Sequence, residues 1–391
     1  MSVDLRRILE KMVQSGASDL HLKVGVPPCI RVNGDLIRLD DPPPSLQDAR
    51  AILDELLKPH QKQIFEQQRE VDFAFGVPGL ARFRANFYQQ RGTFALCFRQ
   101  VPMTVPTLEE LHLPPVLAEL AKRPRGLILV TGATGSGKST TLASMIHVMN
   151  REMGRTVITI EDPIEYLHSD QQCYISQREV GLDTESFGEG LKHILRQDPD
   201  VILVGEIRDV ETMETVLSAA DTGHLVFSTL HTTDAVQTVN RILSFFPPDQ
   251  REEARYLVSS TLQAVVSQRL IPRADGKGRV PAAEVLVTTA TVREYIEDPT
   301  KTSMIRQLIA EGVAEYGTQT FDQSVMQLYT SGLITIDQAL VYCSNPNEFM
   351  LRVKGIHTTS DRSWDAFEAP EEGEEKTGMV KTRTEGPDLF L

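Results

Sequence analysis

A chain of 391 residues is long enough for two or three domains at roughly 100–200 residues each. Hydrophobic residues at 41% and charged residues at 24% are globular values, which excludes a chain disordered throughout. A formal charge of −14 argues against a surface built to neutralise duplex phosphates, so no nucleic-acid partner is expected.

Cys29, Cys97, Cys173 and Cys343 form no CxxC pair, so neither a zinc ribbon nor a disulfide framework is expected, and the compartment reads as reducing and cytoplasmic. The opening Met1–Arg7 leads into no apolar segment. The runs Leu127–Val130 and Val201–Val204 fall far short of the roughly 20 residues that cross a bilayer. Membrane contact is therefore expected through partners only.

In chain order, Leu5, Ile8, Leu9, Met12 and Val13 fall at helical spacing, with Gly16 placed to end the helix. Asp19–Val24 alternates, and Cys29–Val32 and Asp35–Leu39 flank Asn33 and Gly34, a tight-hairpin signal. Ala49–Leu57 predicts a second helix. Arg82–Tyr88 and Thr93–Arg99 predict a further hairpin turning across residues 89–92. Residues 1–101 thus read as a small α+β domain. Four prolines (Pro102, Pro106, Pro114, Pro115) mark 102–120 as an extended linker.

From Gly126 the strands lose their alternation. Leu127–Val130, Val157–Ile160, Val201–Val204 and Leu225–Ser228, separated by helical stretches, predict a parallel sheet with helical crossovers. Helical periodicity over Asp249–Leu270 and from Val292 to about Val353 predicts a helical cap, giving an α/β domain over 121–357. The acidic segment 358–391 is expected to be disordered.

Gly132, Ala133, Thr134, Gly135, Ser136, Gly137, Lys138 and Ser139 satisfy G-x-x-x-x-G-K-[ST] between a predicted strand and a helix opening at Thr140. Glycines let backbone N–H groups wrap phosphates, and the helix N-terminus adds a favourable dipole. Lys138 is expected on the β- and γ-phosphates of ATP and Ser139 on Mg2+. Val201–Val204 runs through Gly205 into Glu206, a carboxylate placed to orient Mg2+ and the attacking water. Glu161, Asp162 and Glu165 follow another strand, and Glu165 or Glu161 could polarise water. His224 and His231 flank the strand at 225–229, which suggests both imidazoles near one edge, sensing the γ-phosphate. The guanine signature [NT]-K-x-D is absent, so adenine is the expected base.

Taken together, these residues resemble the type II/IV secretion ATPase superfamily, and within it the PilT/PilU pilus-retraction ATPases. The resemblance rests on five ordered motifs: Ala17–Leu22, the loop 132–139, Ile158–Tyr166, Val204–Asp209, and Thr222–His224 with Ser228–Thr232. Gln319–Gln323 resembles the family's late helical motif. The resemblance implies a homo-hexamer with an N-terminal PAS-like domain, a RecA-like ATPase domain and a C-terminal helical region. It implies that Arg84 and Arg99 reach the nucleotide, that the catalytic glutamate is Glu165, and that Glu206 positions water or Mg2+. An inner-membrane pilus platform protein and a paralogous retraction ATPase are the implied partners. The missing four-cysteine zinc motif favours the retraction branch over extension and type II secretion members. Met304–Ile309 fits the family's late Ala-Ile-Arg stretch poorly, which leaves a PilU-like accessory motor open beside a PilT-like one. An ATP-binding scaffold without turnover and a nucleic-acid translocase are the competing readings.

Overall fold

The computed structural model describes residues 3–32 and 34–356. The expected acidic tail at 358–391 and Asn33 of the expected hairpin lie outside the described residues.

The first layer is a six-stranded antiparallel sheet made of β1 (Asp19–Lys23), β2 (Val26–Val32), β3 (Asp35–Arg38), β4 (Glu70–Val77), β5 (Ala81–Gln90) and β6 (Thr93–Val101), in the order β3-β2-β1-β6-β5-β4. Alternation sends Leu20, Leu22, Phe83, Phe87 and Phe98 into its core, under the helix Leu5–Gln14. Phe87 and Phe98 meet edge to face at 5.8 Å. The same alternation turns Arg82, Arg84 and Arg99 to the opposite face. The β5–β6 turn is tighter than residues 89–92 suggest: Gln90 still pairs with Thr93, and Arg91 and Gly92 turn the chain at φ 48° and 73°.

The second layer is a seven-stranded mixed sheet: β7 (Gly126–Thr131), β8 (Thr156–Glu161), β9 (Tyr174–Glu179), β10 (Val201–Val204), β11 (Leu225–Leu230), β12 (Leu262–Pro272) and β13 (Arg279–Val287), in the order β13-β12-β7-β11-β10-β8-β9. All neighbours from β12 to β9 are parallel, and β13 returns antiparallel on the edge. Helices cover both faces. Ile128 and Val130 pack with Leu142, Met145 and Met149 on one side. Leu127 and Leu129 pack with Leu217, Val239 and Ile242 on the other. Burial on both faces is why these strands read as unbroken apolar runs.

Three expectations are corrected. The helix expected through Leu270 ends at Thr261, and Leu262–Pro272 is β12, paired in parallel with β7. The sheet is therefore not purely parallel, because β12 and β13 form an antiparallel pair. The stretch 102–120 is not a free extended spacer: Leu108, Leu113 and Leu117 are buried in the second sheet's core, and 116–121 is helical. The C-terminal helices, including Phe321–Thr330 and Ile336–Tyr342, pack as a separate cluster on Ile271, Val280 and Ala282.

Candidate active site

Because β7, β8, β10 and β11 run the same way, their C-terminal ends share one edge of the sheet, where α/β folds bind ligands. β7 delivers the loop 132–139, β8 ends at Glu161, β10 leads into Glu206, and β11 leads into His231. β11 lies between β7 and β10, so His231 emerges between the phosphate loop and Glu206.

The loop is shaped for an anion. Gly132 adopts φ +140°, and a Cβ there would stand 2.5 Å from the Gln268 carbonyl oxygen and 2.6 Å from Ser136 Oγ, so only glycine fits. Lys138 Nζ donates to the carbonyl oxygens of Gly132 at 2.8 Å and Ala133 at 3.1 Å. Burial holds the Lys138 ammonium below its ordinary pKa, and Glu206 partly opposes that shift. Ser136 Oγ is buried without a hydrogen-bond partner. A half-desolvated cation, an orphaned hydroxyl and a helix beginning at Lys138 together fit a polyphosphate.

The acids behave differently from one another. Glu206 is gripped from two sides, by His231 Nε2 at 3.0 Å on Oε1 and by Arg208 Nε at 2.9 Å on Oε2. Arg208 also reaches Asp162 at 3.2 Å, tying the segment after β10 to the segment after β8. Glu161 turns inward, accepting from Thr159 Oγ1 at 2.7 Å and Gln177 Nε2 at 3.1 Å, and burial raises its pKa. Glu165 is exposed, and its Oε2 lies 2.9 Å from Arg84 Nη2. The same Arg84 nitrogen donates to the Ile164 carbonyl at 2.8 Å. Arg99 Nε donates to Asp19 Oδ1 at 2.7 Å. Burial pushes the Asp19 carboxyl up, but bonds from Ser18 and Arg99 more than offset it, leaving the group below the usual carboxylate range.

A cavity of about 730 Å³ opens at this edge, lined among others by Thr134, Gly135, Gly137, Lys138, Ser139 and Thr140. Glu161, Glu165, Glu206, His231 and Arg99 also line it. Arg84 lines a neighbouring cleft of about 610 Å³ instead, so here it meets Glu165 rather than the phosphate loop. His224 is a correction. Its carbonyl receives the Gly126 N–H at the start of β7, so it sits at the opposite end of β11 from His231, roughly 20 Å away over six strand residues. His224 Nδ1 lies 3.0 Å from the Ala219 carbonyl oxygen, a structural bond at a helix end.

Sequence reasoning gave no role to Arg208, Asp19 or His168. Arg208 sits two residues from Glu206, and that spacing was its available signal. His168 lines the cavity, with burial first and His147 second lowering its pKa to about 4. Nothing in its sequence surroundings marks it. Among the described residues no group of three or more His, Cys, Asp or Glu side chains could hold a metal by itself. Mg2+ bound largely through substrate phosphates and water does not need such a group, and Ser139 and Glu206 both line the cavity.

Residues 108–361 match the family described as Type II/IV secretion system protein. The type IV pilus retractation ATPase PilT of Pseudomonas aeruginosa is 44% identical over 89% of this chain and 100% of its own length. The chain belongs to the type II/IV secretion ATPase family. The type IV pilus ATPase PilU of the same organism is 41% identical over 90% of this chain and 92% of its own. A crystal structure of the pilus retraction motor PilT with bound ADP superimposes with a TM-score of 0.80 at 43% identity, covering 89% of this chain and 99% of that one. The first sheet is thus the family's N-terminal domain, and the second is its RecA-like ATPase core with C-terminal helices. As a member of this family the chain is a nucleotide-binding ATPase. No described helix is long and apolar enough to cross a membrane.

Proposed function

We propose that this chain is a Mg2+-dependent, hexameric ATP-hydrolysing motor that retracts a type IV pilus. The observation that carries the reading is the contact between Arg84, from the N-terminal sheet, and Glu165, beside the phosphate loop of the ATPase core. An arginine from one layer paired with a candidate general base in the other links domain position to chemistry. Similarity to PilT over that protein's whole length supports the choice of substrate and of cellular role.

The loop 132–139 binds ATP phosphates through its N–H groups, and Lys138 exchanges the carbonyls of Gly132 and Ala133 for phosphate oxygens. Ser139 and Glu206 would hold Mg2+ at the phosphates, where the ion would supply charge neutralisation. His231 and Arg208 fix the Glu206 carboxylate. Negative charge in the cavity draws Arg84 off Glu165, which frees that carboxylate to accept a proton from water. Arg99 and Arg84 then stabilise the developing phosphoryl charge, and loss of phosphate lets Arg84 return to Glu165. Domain 1–101 moves against domain 121–357 in each cycle, with the start of 102–120 as the connection, because Leu108, Leu113 and Leu117 stay packed in the second sheet's core. The chain works at the cytoplasmic face of the inner membrane, held there by a pilus platform protein.

Deleting the gene tests the retraction role. Surface pili in excess without twitching support it, whereas cells without pili contradict it. The near-equal similarity to PilU favours a second reading, an accessory motor or ATP-binding scaffold that needs a paralogous retraction ATPase. Purified protein that binds ATP but turns it over only with that partner decides for the accessory motor, and ATP binding without turnover even beside the partner decides for the scaffold.

A further inference from the structure

Glu284 lies on β13, cross-strand from Ser267 of β12, and is 5% exposed. Its Oε1 accepts the backbone N–H of Ala235 at 2.8 Å. Ala235 opens the helix Ala235–Ser244, whose N-cap is Asp234. The segment between β11 and that helix is 231–234, and its first residue, His231, holds Glu206 at 3.0 Å. Thr232 of that segment bonds at 2.7 Å to Thr238 of the helix. The buried carboxylate thus pins the far end of a four-residue segment whose near end holds the acid of the active site.

We infer that Glu284 is a positioning residue for ATP hydrolysis: its carboxylate, through Ala235, fixes the 231–234 segment so that His231 orients Glu206. The inference rests on the ATPase reading of the site and extends it to a residue outside the cavity. Burial pushes the Glu284 carboxyl up to about 7, with Asp234 of the same turn adding to the rise. The Ala235 N–H, Arg306 from the helix Ile305–Glu311 and Arg269 from β12 oppose it. A carboxyl raised above its unfolded value of 4.5 lowers stability as pH climbs through the interval between the two values, and the full cost stands above about 7.

The test uses the full chain with Glu284→Gln, Glu284→Ala and His231→Ala, alone and combined. At pH 8, Glu284→Ala should lower kcat about tenfold and Glu284→Gln about threefold, with KM for ATP unchanged within about twofold. In the His231→Ala background neither change should have a further effect. The Tm of Glu284→Gln at pH 8 should exceed that of the wild type, the gain shrinking toward pH 5. If Glu284→Ala does not fold, Glu284→Gln carries the comparison. Wild-type kcat in the Glu284 variants, an equal further loss in the His231→Ala background, or a Glu284→Gln Tm that falls together with its kcat would each overturn the inference. With His231→Ala impaired, those outcomes leave the reading of the site standing; wild-type turnover in His231→Ala overturns the role of His231 and this inference together.

Discussion

Lys138, Glu206, Glu165 and Arg84 each make a contact that nucleotide must change or exploit, so their substitutions separate binding from turnover. Lys138→Ala removes the ammonium that now rests on the carbonyls of Gly132 and Ala133. ATP binding, followed by a fluorescent analogue, should fall below detection. Glu206→Gln keeps the shape that His231 and Arg208 hold. Single-turnover assays should show ATP retained and turnover lowered at least about a hundredfold. Arg84→Ala releases Glu165 and also removes a charge from the transferring phosphoryl, and steady-state assays should read a kcat loss on the order of a thousandfold. The phosphate loop was legible residue by residue because its chemistry demands fixed types at fixed spacing. The Arg84–Glu165 pair was not, because its members stand 81 positions apart in the chain and no local pattern reports such a contact.

Among the elements, β12 shows where periodicity misleads. Leu262, Val265, Val266 and Leu270 fall at helical spacing, yet a strand between β7 and β13, covered on both faces, needs no alternation to be a strand. β9 (Tyr174–Glu179) escaped notice for the opposite reason: it is an edge strand with a polar sequence. β4 and the helix Pro59–Gln68 were also missed, the helix because its apolar stripe is little more than Ile64 and Phe65. The misplacement of His224 came from ignoring strand direction. Residues before and after a six-residue strand belong to opposite edges of a parallel sheet. The turn after β7 carries its own prediction. Gly132→Ala places a methyl group against the Gln268 carbonyl in a left-handed backbone region. The loop must shift, and ATP affinity measured by calorimetry should drop at least about tenfold while the far-UV spectrum is preserved.

For the whole molecule, two packed layers place a nucleotide cavity where they meet, and buried groups there couple stability to pH. His168 is held neutral, with a folded pKa of about 4 against 6.5 unfolded. Between those values the unfolded chain binds more protons, so stability falls as pH drops from about 6.5 toward 4, by roughly 3 kcal/mol in full. Denaturant melts of His168→Gln should show a flatter acid limb than the wild type. The most direct measurement of the central claim is a structure of the protein with a nonhydrolysable ATP analogue and magnesium. The account predicts the triphosphate cradled by residues 132–139, Lys138 Nζ withdrawn from the carbonyls of Gly132 and Ala133, and Arg84 parted from Glu165. An analogue bound elsewhere, with Lys138 still on those carbonyls and the Arg84–Glu165 pair intact, would contradict it.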